Sequence, residues 1–145
     1  MKIVIGIPAF NEEKNIAAIL IKLKKISQNI IVCDDGSRDL TAEIAESLGA
    51  IIIRHEKNLG YGAAIKSIFL KAQEMNADIL TTFDADGQHR VEDIEKILVK
   101  LGVKFKTQDQ LAEEQIKKYG KAINTPDFLI LSDFYINDVK INWID

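Results

Sequence analysis

Between residues 3 and 101 the chain repeats one pattern four times: a short run of apolar, often β-branched residues, then a segment of helical period. Ile3, Val4, Ile5 and Ile7, closed by Pro8, read as a buried strand, because a run this short and rich in branched side chains suits a pleated sheet. Behind Asn11-Glu12-Glu13, the apolar positions Ile16, Ile19, Leu20 and Leu23 recur at three and four residues. Lys22, Lys24 and Lys25 stand at the far end, where cations suit the helix dipole. Residues 30–33 then 41–48, 51–53 then 63–74, and 79–83 then 91–101 repeat the alternation. Strands separated by helices pair in parallel and are covered on their faces, so the pattern predicts an α/β fold: a mainly parallel sheet with flanking helices, Rossmann-like.

After residue 102 the rhythm changes. A polar helix is expected over 108–119, and 128–131 and 139–143 read as strands joined at Asn137-Asp138, a dipeptide suited to a hairpin turn. The chain therefore divides into residues 1–101 and a short α+β C-terminal segment, 102–145, of helix plus β-hairpin. With 19 Lys and Arg against 22 Asp and Glu, the net charge of -3 gives nucleic-acid binding no support. Cys33 is the single cysteine, which excludes an internal disulfide framework and a cysteine-cluster metal site. The longest apolar run, residues 16–21, is far below the ~20 residues that span a bilayer, and the N-terminus lacks a signal-peptide layout. A reducing, cytoplasmic setting is expected, with any membrane contact peripheral.

Open parallel sheets take their ligands outside the carboxyl ends of the strands. The unusual residues of this chain collect there: Pro8-Ala9-Phe10-Asn11-Glu12, Asp34-Asp35-Gly36-Ser37, Lys57-Asn58-Leu59-Gly60-Tyr61-Gly62 and Asp84-Ala85-Asp86-Gly87-Gln88-His89. Asp84 and Asp86, one residue apart after an apolar strand, can converge with the Gln88 amide as hard oxygen ligands suited to Mg²⁺ or Mn²⁺. A cation held by few protein oxygens keeps positions open for a diphosphate. The bland alternative is an Asp-Gly turn that caps the next helix. One carboxylate of Asp34-Asp35 can take a nucleobase amide edge or a ribose hydroxyl, or the loop can be an Asx turn with a helix cap. Asn11 and Glu12 can cap their helix too, although Glu12 also faces the crevice. Gly60 and Gly62 invite comparison with dinucleotide-binding loops, but Ile65 stands where that fingerprint needs a small residue, so these glycines read as packing and backbone-approach positions. His55 and His89 are too few and too far apart for a zinc cluster. With no base evident beside it, Cys33 reads as a packed thiol, and Ser37 has no triad partner in sequence.

Together, Pro8 to Glu13, Asp34-Asp35-Gly36-Ser37, Asn58 to Gly62 and Asp84 to His89 resemble the family 2 inverting glycosyltransferases over residues 1–99. The nearest likeness is to the dolichol-phosphate mannose and glucose synthases, which transfer a sugar from GDP-mannose or UDP-glucose to a polyprenyl phosphate. The resemblance implies the GT-A nucleotide-diphospho-sugar transferase fold, with residues 1–101 as its nucleotide-sugar-binding half. It further implies that Pro8, Ala9, Phe10 and Glu12 line the nucleotide pocket, that Asp35 contacts the base, and that Asp84, Asp86 and Gln88 hold a Mg²⁺ or Mn²⁺ on the donor diphosphate. Ala85 would pass its backbone close to that diphosphate, and Asp86 would be the catalytic residue. An acceptor phosphate is already anionic, so in-line attack at the anomeric carbon needs no strong general base. The implied partners are a nucleotide-sugar donor and a polyprenyl phosphate reached peripherally at the cytoplasmic face of a membrane.

The likeness departs from the family at Arg90, where the synthases commonly have proline, and after the fourth helix, where a further strand with a Gly-Ser-Arg element and an acceptor region are expected. That leaves a second reading, a donor-binding fragment without transfer. Residues 108–145, with Gln115 to Gly120, Thr125-Pro126-Asp127-Phe128 and Ile141-Asn142-Trp143-Ile144-Asp145, resemble part of the TPD group of PD-(D/E)xK nucleases. That resemblance would make Asp127 and Asp145 metal ligands, with the expected lysine absent; only a working nuclease fragment would bring in nucleic acid.

Overall fold

All four predicted β-α units form. In the computed structural model, which describes residues 1–103 together with Gln110 and Glu113, the order is β1 (Ile3–Ala9), α1 (Ile16–Leu23), β2 (Ile30–Asp34), α2 (Thr41–Ser47), β3 (Ile51–Arg54), α3 (Tyr61–Glu74), β4 (Ile79–Thr82) and α4 (Val91–Lys100). Gln110 and Glu113 are helical. The rest of the expected helix over 108–119, the two C-terminal strands, Asp127 and Asp145 lie outside the described residues.

The strands form one parallel sheet in the order β3-β2-β1-β4. Alternation along β1 sends Ile3, Ile5, Ile7 and Ala9 to one face, where they pack with Ile16, Leu20 and Leu23 of α1, Ala45 of α2, and Ile94 and Leu98 of α4. Val4, with Ile31 and Cys33 of β2 and Leu80 of β4, faces the other way, onto Ala64, Ile68 and Ala72 of α3. Gly6 lies on this second face for a steric reason: a Cβ there would stand 2.3 Å from Ile68 Cγ2. The close approach of α3 to β1 thus depends on the missing side chain.

The chain winds outward from β1 through β2 to β3 and then returns across the sheet in α3 to place β4 on the other side of β1. The strand order reverses beside β1, and its carboxyl end, Pro8 to Phe10, meets the carboxyl end of β4, Phe83 and Asp84, in the crevice that such a reversal opens. Phe83 N–H still donates to the Gly6 carbonyl at 2.9 Å, which carries the β4 ladder to the edge of that crevice.

Candidate functional site

Parallel pairing sets Asp34 beside Arg54, so the residues that follow them, Asp35 and His55, emerge together at the ends of β2 and β3. His55 Nδ1 lies 2.6 Å from Asp35 Oδ1. The same oxygen accepts Leu59 N–H at 2.9 Å, and Asp35 Oδ2 accepts Gly60 N–H at 2.8 Å. Burial of this 6% exposed side chain works against its charge. The hydrogen bonds from His55, Leu59 and Gly60 outweigh that, and hold its carboxyl below the usual aspartate range. A carboxylate can only accept, so His55 Nδ1 carries the proton. Nε2 then stands 2.8 Å from Ser67 Oγ on α3 and 3.7 Å from Cys33 Sγ.

This network changes one ground of the sequence reading and leaves its conclusions in place. Cys33 does have a base beside it, supplied by the neighbouring strand rather than by neighbouring sequence. The thiol is nonetheless no nucleophile: burial, then the charges of Asp35 and Asp34, push it up to about 12. The chain Asp35–His55–Ser67 has the connectivity of a hydrolase triad, but Ser67 sits inside a helix and is not among the residues lining either cavity described below.

The first two loops are stitched to each other. Asn11, at φ 53°, donates its N–H to Ser37 Oγ at 2.8 Å, and its Oδ1 accepts Arg38 N–H at 2.9 Å. Glu12 N–H donates to Thr41 Oγ1 at 2.8 Å, and Glu12 Oε2 accepts from Asn15 Nδ2 at 2.9 Å. Neither side chain caps α1, whose first turn has no side-chain cap; Asn11 serves the other loop instead. The Asx turn expected at Asp34-Asp35 is made by Asp34, which accepts Ser37 N–H at 3.2 Å. Asp39, not Asp35, serves the start of α2, accepting Thr41 N–H at 3.0 Å.

The glycines also divide differently from expectation. A Cβ on Gly36, at φ 77°, would lie 2.5 Å from the Lys57 carbonyl carbon, so this residue lets the second and third loops touch. Among the described residues nothing lies within 4 Å of a Cβ on Gly60 or Gly62, so none of these residues packs closely on either; Gly60 is needed for its φ of 97°.

A cavity of about 160 Å³ opens where these loops meet, lined by Pro8, Ala9, Phe10, Asp35, Asn58, Gly60, Tyr61 and Ala64. Four of the residues singled out in the sequence, Pro8, Ala9, Phe10 and Asp35, come together here. Glu12, Asp84 and Ala85 line neither it nor the adjoining cavity of about 480 Å³ that it shares Phe10 and Asn58 with. Ala85 packs into the core at 3% exposure.

The fourth loop is of another kind. Tyr61, at the start of α3, carries its hydroxyl to 3.5 Å from Asp84 Oδ1. His89 Nδ1 accepts Asp84 N–H at 3.1 Å, which leaves the proton on Nε2, 3.6 Å from Asp84 Oδ2, while the ring meets Phe83 edge-on. Asp86 is exposed, and its Oδ1 accepts Gln88 N–H at 2.9 Å in a turn with Gly87 at φ 80°. That turn does not cap α4, whose N-cap position is Arg90, without a side-chain cap. No group of three or more His, Cys, Asp or Glu among the described residues is arranged to hold a metal ion, and no helix among them is long and apolar enough to cross a membrane.

The model of the family described as "Glycosyl transferase family 2" matches residues 4–125, past the end of the half read from sequence at residue 101. An uncharacterized protein of Methanocaldococcus jannaschii is 47% identical over 98 residues, covering 67% of this chain and 40% of the relative. The UDP-N-acetylglucosamine–dolichyl-phosphate N-acetylglucosaminyltransferase of Methanococcus voltae is 41% identical over 110 residues, covering 63% of this chain and 44% of that one. The chain thus spans well under half the length of either relative. A glucosyl-3-phosphoglycerate synthase of Mycobacterium tuberculosis, solved with Mn²⁺, UDP-glucose and phosphoglyceric acid, superposes with a TM-score of 0.57. It is 24% identical, over 69% of this chain and 39% of that one, a likeness that shows the shared Rossmann-like GT-A fold.

Proposed function

The chain belongs to glycosyl transferase family 2, and from that premise we propose that its strand-end crevice binds a nucleoside-diphosphate sugar, UDP-glucose or GDP-mannose in type, for transfer with inversion to a polyprenyl phosphate. The observation that carries the reading is the convergence of Pro8, Ala9, Phe10 and Asp35 on one cavity, at the point where the strand order reverses and the Asp84 loop begins. Phe10, 44% exposed, offers a ring face for a base to stack on. Asp35, buried and ionised, offers an acceptor for a base N–H.

A diphosphate directed from that cavity toward the end of β4 reaches the Asp84 loop. The donor set there, Asp84 and Asp86 with the Gln88 amide, fits Mg²⁺ or Mn²⁺, since such ions are held by one or two carboxylates and completed by substrate phosphates. When bound, the metal neutralises the charge that develops on the departing nucleoside diphosphate. Asp86 is the residue assigned to this step. Tyr61 and His89 hold Asp84 from two sides, which orients it without closing it off. The acceptor phosphate attacks as an anion, so the chain has no proton to remove from it. The relative from M. voltae acts on dolichyl phosphate, as its name states, and that acceptor class is proposed here, with the protein working at the cytoplasmic face of a membrane.

Calorimetric titration of the whole chain with UDP-glucose and GDP-mannose, with and without Mn²⁺, tests the reading. Metal-dependent binding of one donor, lost in Asp86→Asn, is expected. A folded chain that binds neither donor contradicts it.

A further inference from the structure

The carboxylate of Asp35 has four acceptor positions on its two oxygens. His55 Nδ1 and Leu59 N–H take both positions on Oδ1, and Gly60 N–H takes one on Oδ2. One position on Oδ2 receives no donor among the described residues, in a side chain that is 6% exposed and belongs to a residue lining the smaller cavity. That cavity, at about 160 Å³, is well below the roughly 300–1,000 Å³ of pockets for drug-sized ligands. A one-ring base suits it better than a two-ring one.

Nucleobases differ in what they ask of such an acceptor. Uracil presents a single ring N–H between two carbonyl oxygens. Guanine presents its N1–H and its amino group side by side, a pair that a free carboxylate takes with both oxygens at once. Asp35 with one open position satisfies the first and leaves a donor of the second without a partner in a sheltered site, where an unmade hydrogen bond is costly. Asn58 lines the same cavity and carries an amide that can donate to a carbonyl beside the uracil N–H.

We infer that this site selects uracil over guanine, and that His55, by occupying Asp35 Oδ1 from β3 while Ser67 braces its far side, is the positioning residue that sets the choice. The inference rests on the donor-binding reading above and adds to it the identity of the base. His55 itself lines the larger cavity and not the one that contains Asp35 in this role, so it acts through Asp35 rather than by touching the base.

The test is the ratio of dissociation constants for UDP and GDP, measured by calorimetry with Mn²⁺ on the full chain. UDP is expected to bind about tenfold tighter or more, the effect of one unpaired sheltered donor. His55→Ala frees a position on Oδ1 and is expected to narrow the ratio to within about threefold, whereas His55→Asn, whose amide nitrogen can stand in for Nδ1, restores it. A purely structural role for His55 would weaken both nucleotides alike and leave the ratio unmoved, which overturns its assignment. GDP binding as tightly as UDP to the unaltered chain overturns the choice of base while leaving the donor site standing, and needs no variant to fold. Binding of neither nucleotide to the folded chain removes the donor site, and this inference with it.

Discussion

Asp35 and Asp84 each follow an apolar strand and each open a loop of the same crevice, yet their surroundings are opposite. Asp35 is buried and takes three N–H donors at 2.6–2.9 Å. The side chain of Asp84 is 33% exposed and, among the described residues, meets a tyrosine hydroxyl at 3.5 Å and an imidazole at 3.6 Å. The first acid is spent on the fold: it ties the ends of β2 and β3 to the loop that enters α3. Among the described residues the second has fewer partners, which is what a group needs if a cation is to use it, because a carboxylate that already takes three N–H donors has little left to give a metal. One side of the crevice is thus largely built at folding, with a single acceptor position left over, and the other is completed by what binds.

The contrast breaks first at Asp35. Asp35→Ala leaves Leu59 N–H, Gly60 N–H and His55 Nδ1 without their acceptor, and is expected to lower stability by about 3 kcal/mol in urea unfolding. Because the Asp35 carboxyl is held below its ordinary value of 3.8, its contribution is present at neutral pH and is lost as pH falls through the folded value. The gap between the two proteins should therefore close in strong acid. A gap independent of pH would mean that the charge is not what holds the loop.

The glycines sharpen the same comparison. Gly36→Ala must push against the backbone of Lys57 and Asn58 as well as adopt φ 77°, and is expected to cost about 2–3 kcal/mol. Gly87→Ala has the same sign of φ but open space, and should cost about 1 kcal/mol. Equal losses for the two would show that the loops on the β2 side are not in real contact.

Cys33 reports on the buried side without a large change in stability. With its thiol raised from 9.0 to about 12 by burial and by the two aspartates, it should resist a thiol-specific reagent at pH 8 until the protein opens. Its folded-state preference for the neutral form is complete below pH 9.0 and is lost as pH rises toward 12. Fast labelling of the native protein would contradict the packing described. The smallest expected change in stability is for Asp86→Asn, within about 0.5 kcal/mol of the parent since the residue is exposed, even though metal-dependent donor binding is lost.

The elements themselves were readable because period and branching act locally: Ile3, Ile5 and Ile7 announce a strand face, and Ile16, Leu20 and Leu23 a helix face, whatever lies elsewhere in the chain. Loop positions were readable for the same reason, since the strand ends follow from the strands. What sequence could not supply was pairing across strands. His55 is 20 residues from Asp35 along the chain and becomes its neighbour only through the register of β2 on β3, so the one usable signal was that both directly follow adjacent parallel strands. Asn11 and Glu12 had every local mark of helix caps. Asn11 was instead drawn to the β2–α2 loop, because two loops meeting at a sheet edge offer partners that no single segment contains.

An amide-resolved magnetic resonance titration of the full chain with UDP and Mn²⁺, added singly and together, tests the division between the two loops most directly. The expected result is that dilute Mn²⁺ alone leaves Asp84 to Gln88 sharp, that UDP alone leaves Leu59 and Gly60 largely unmoved, and that the two together shift Leu59 and Gly60 and broaden Asp84 to Gln88. Broadening of that loop by dilute Mn²⁺ without nucleotide, or nucleotide shifts confined to residues away from both loops, would contradict it.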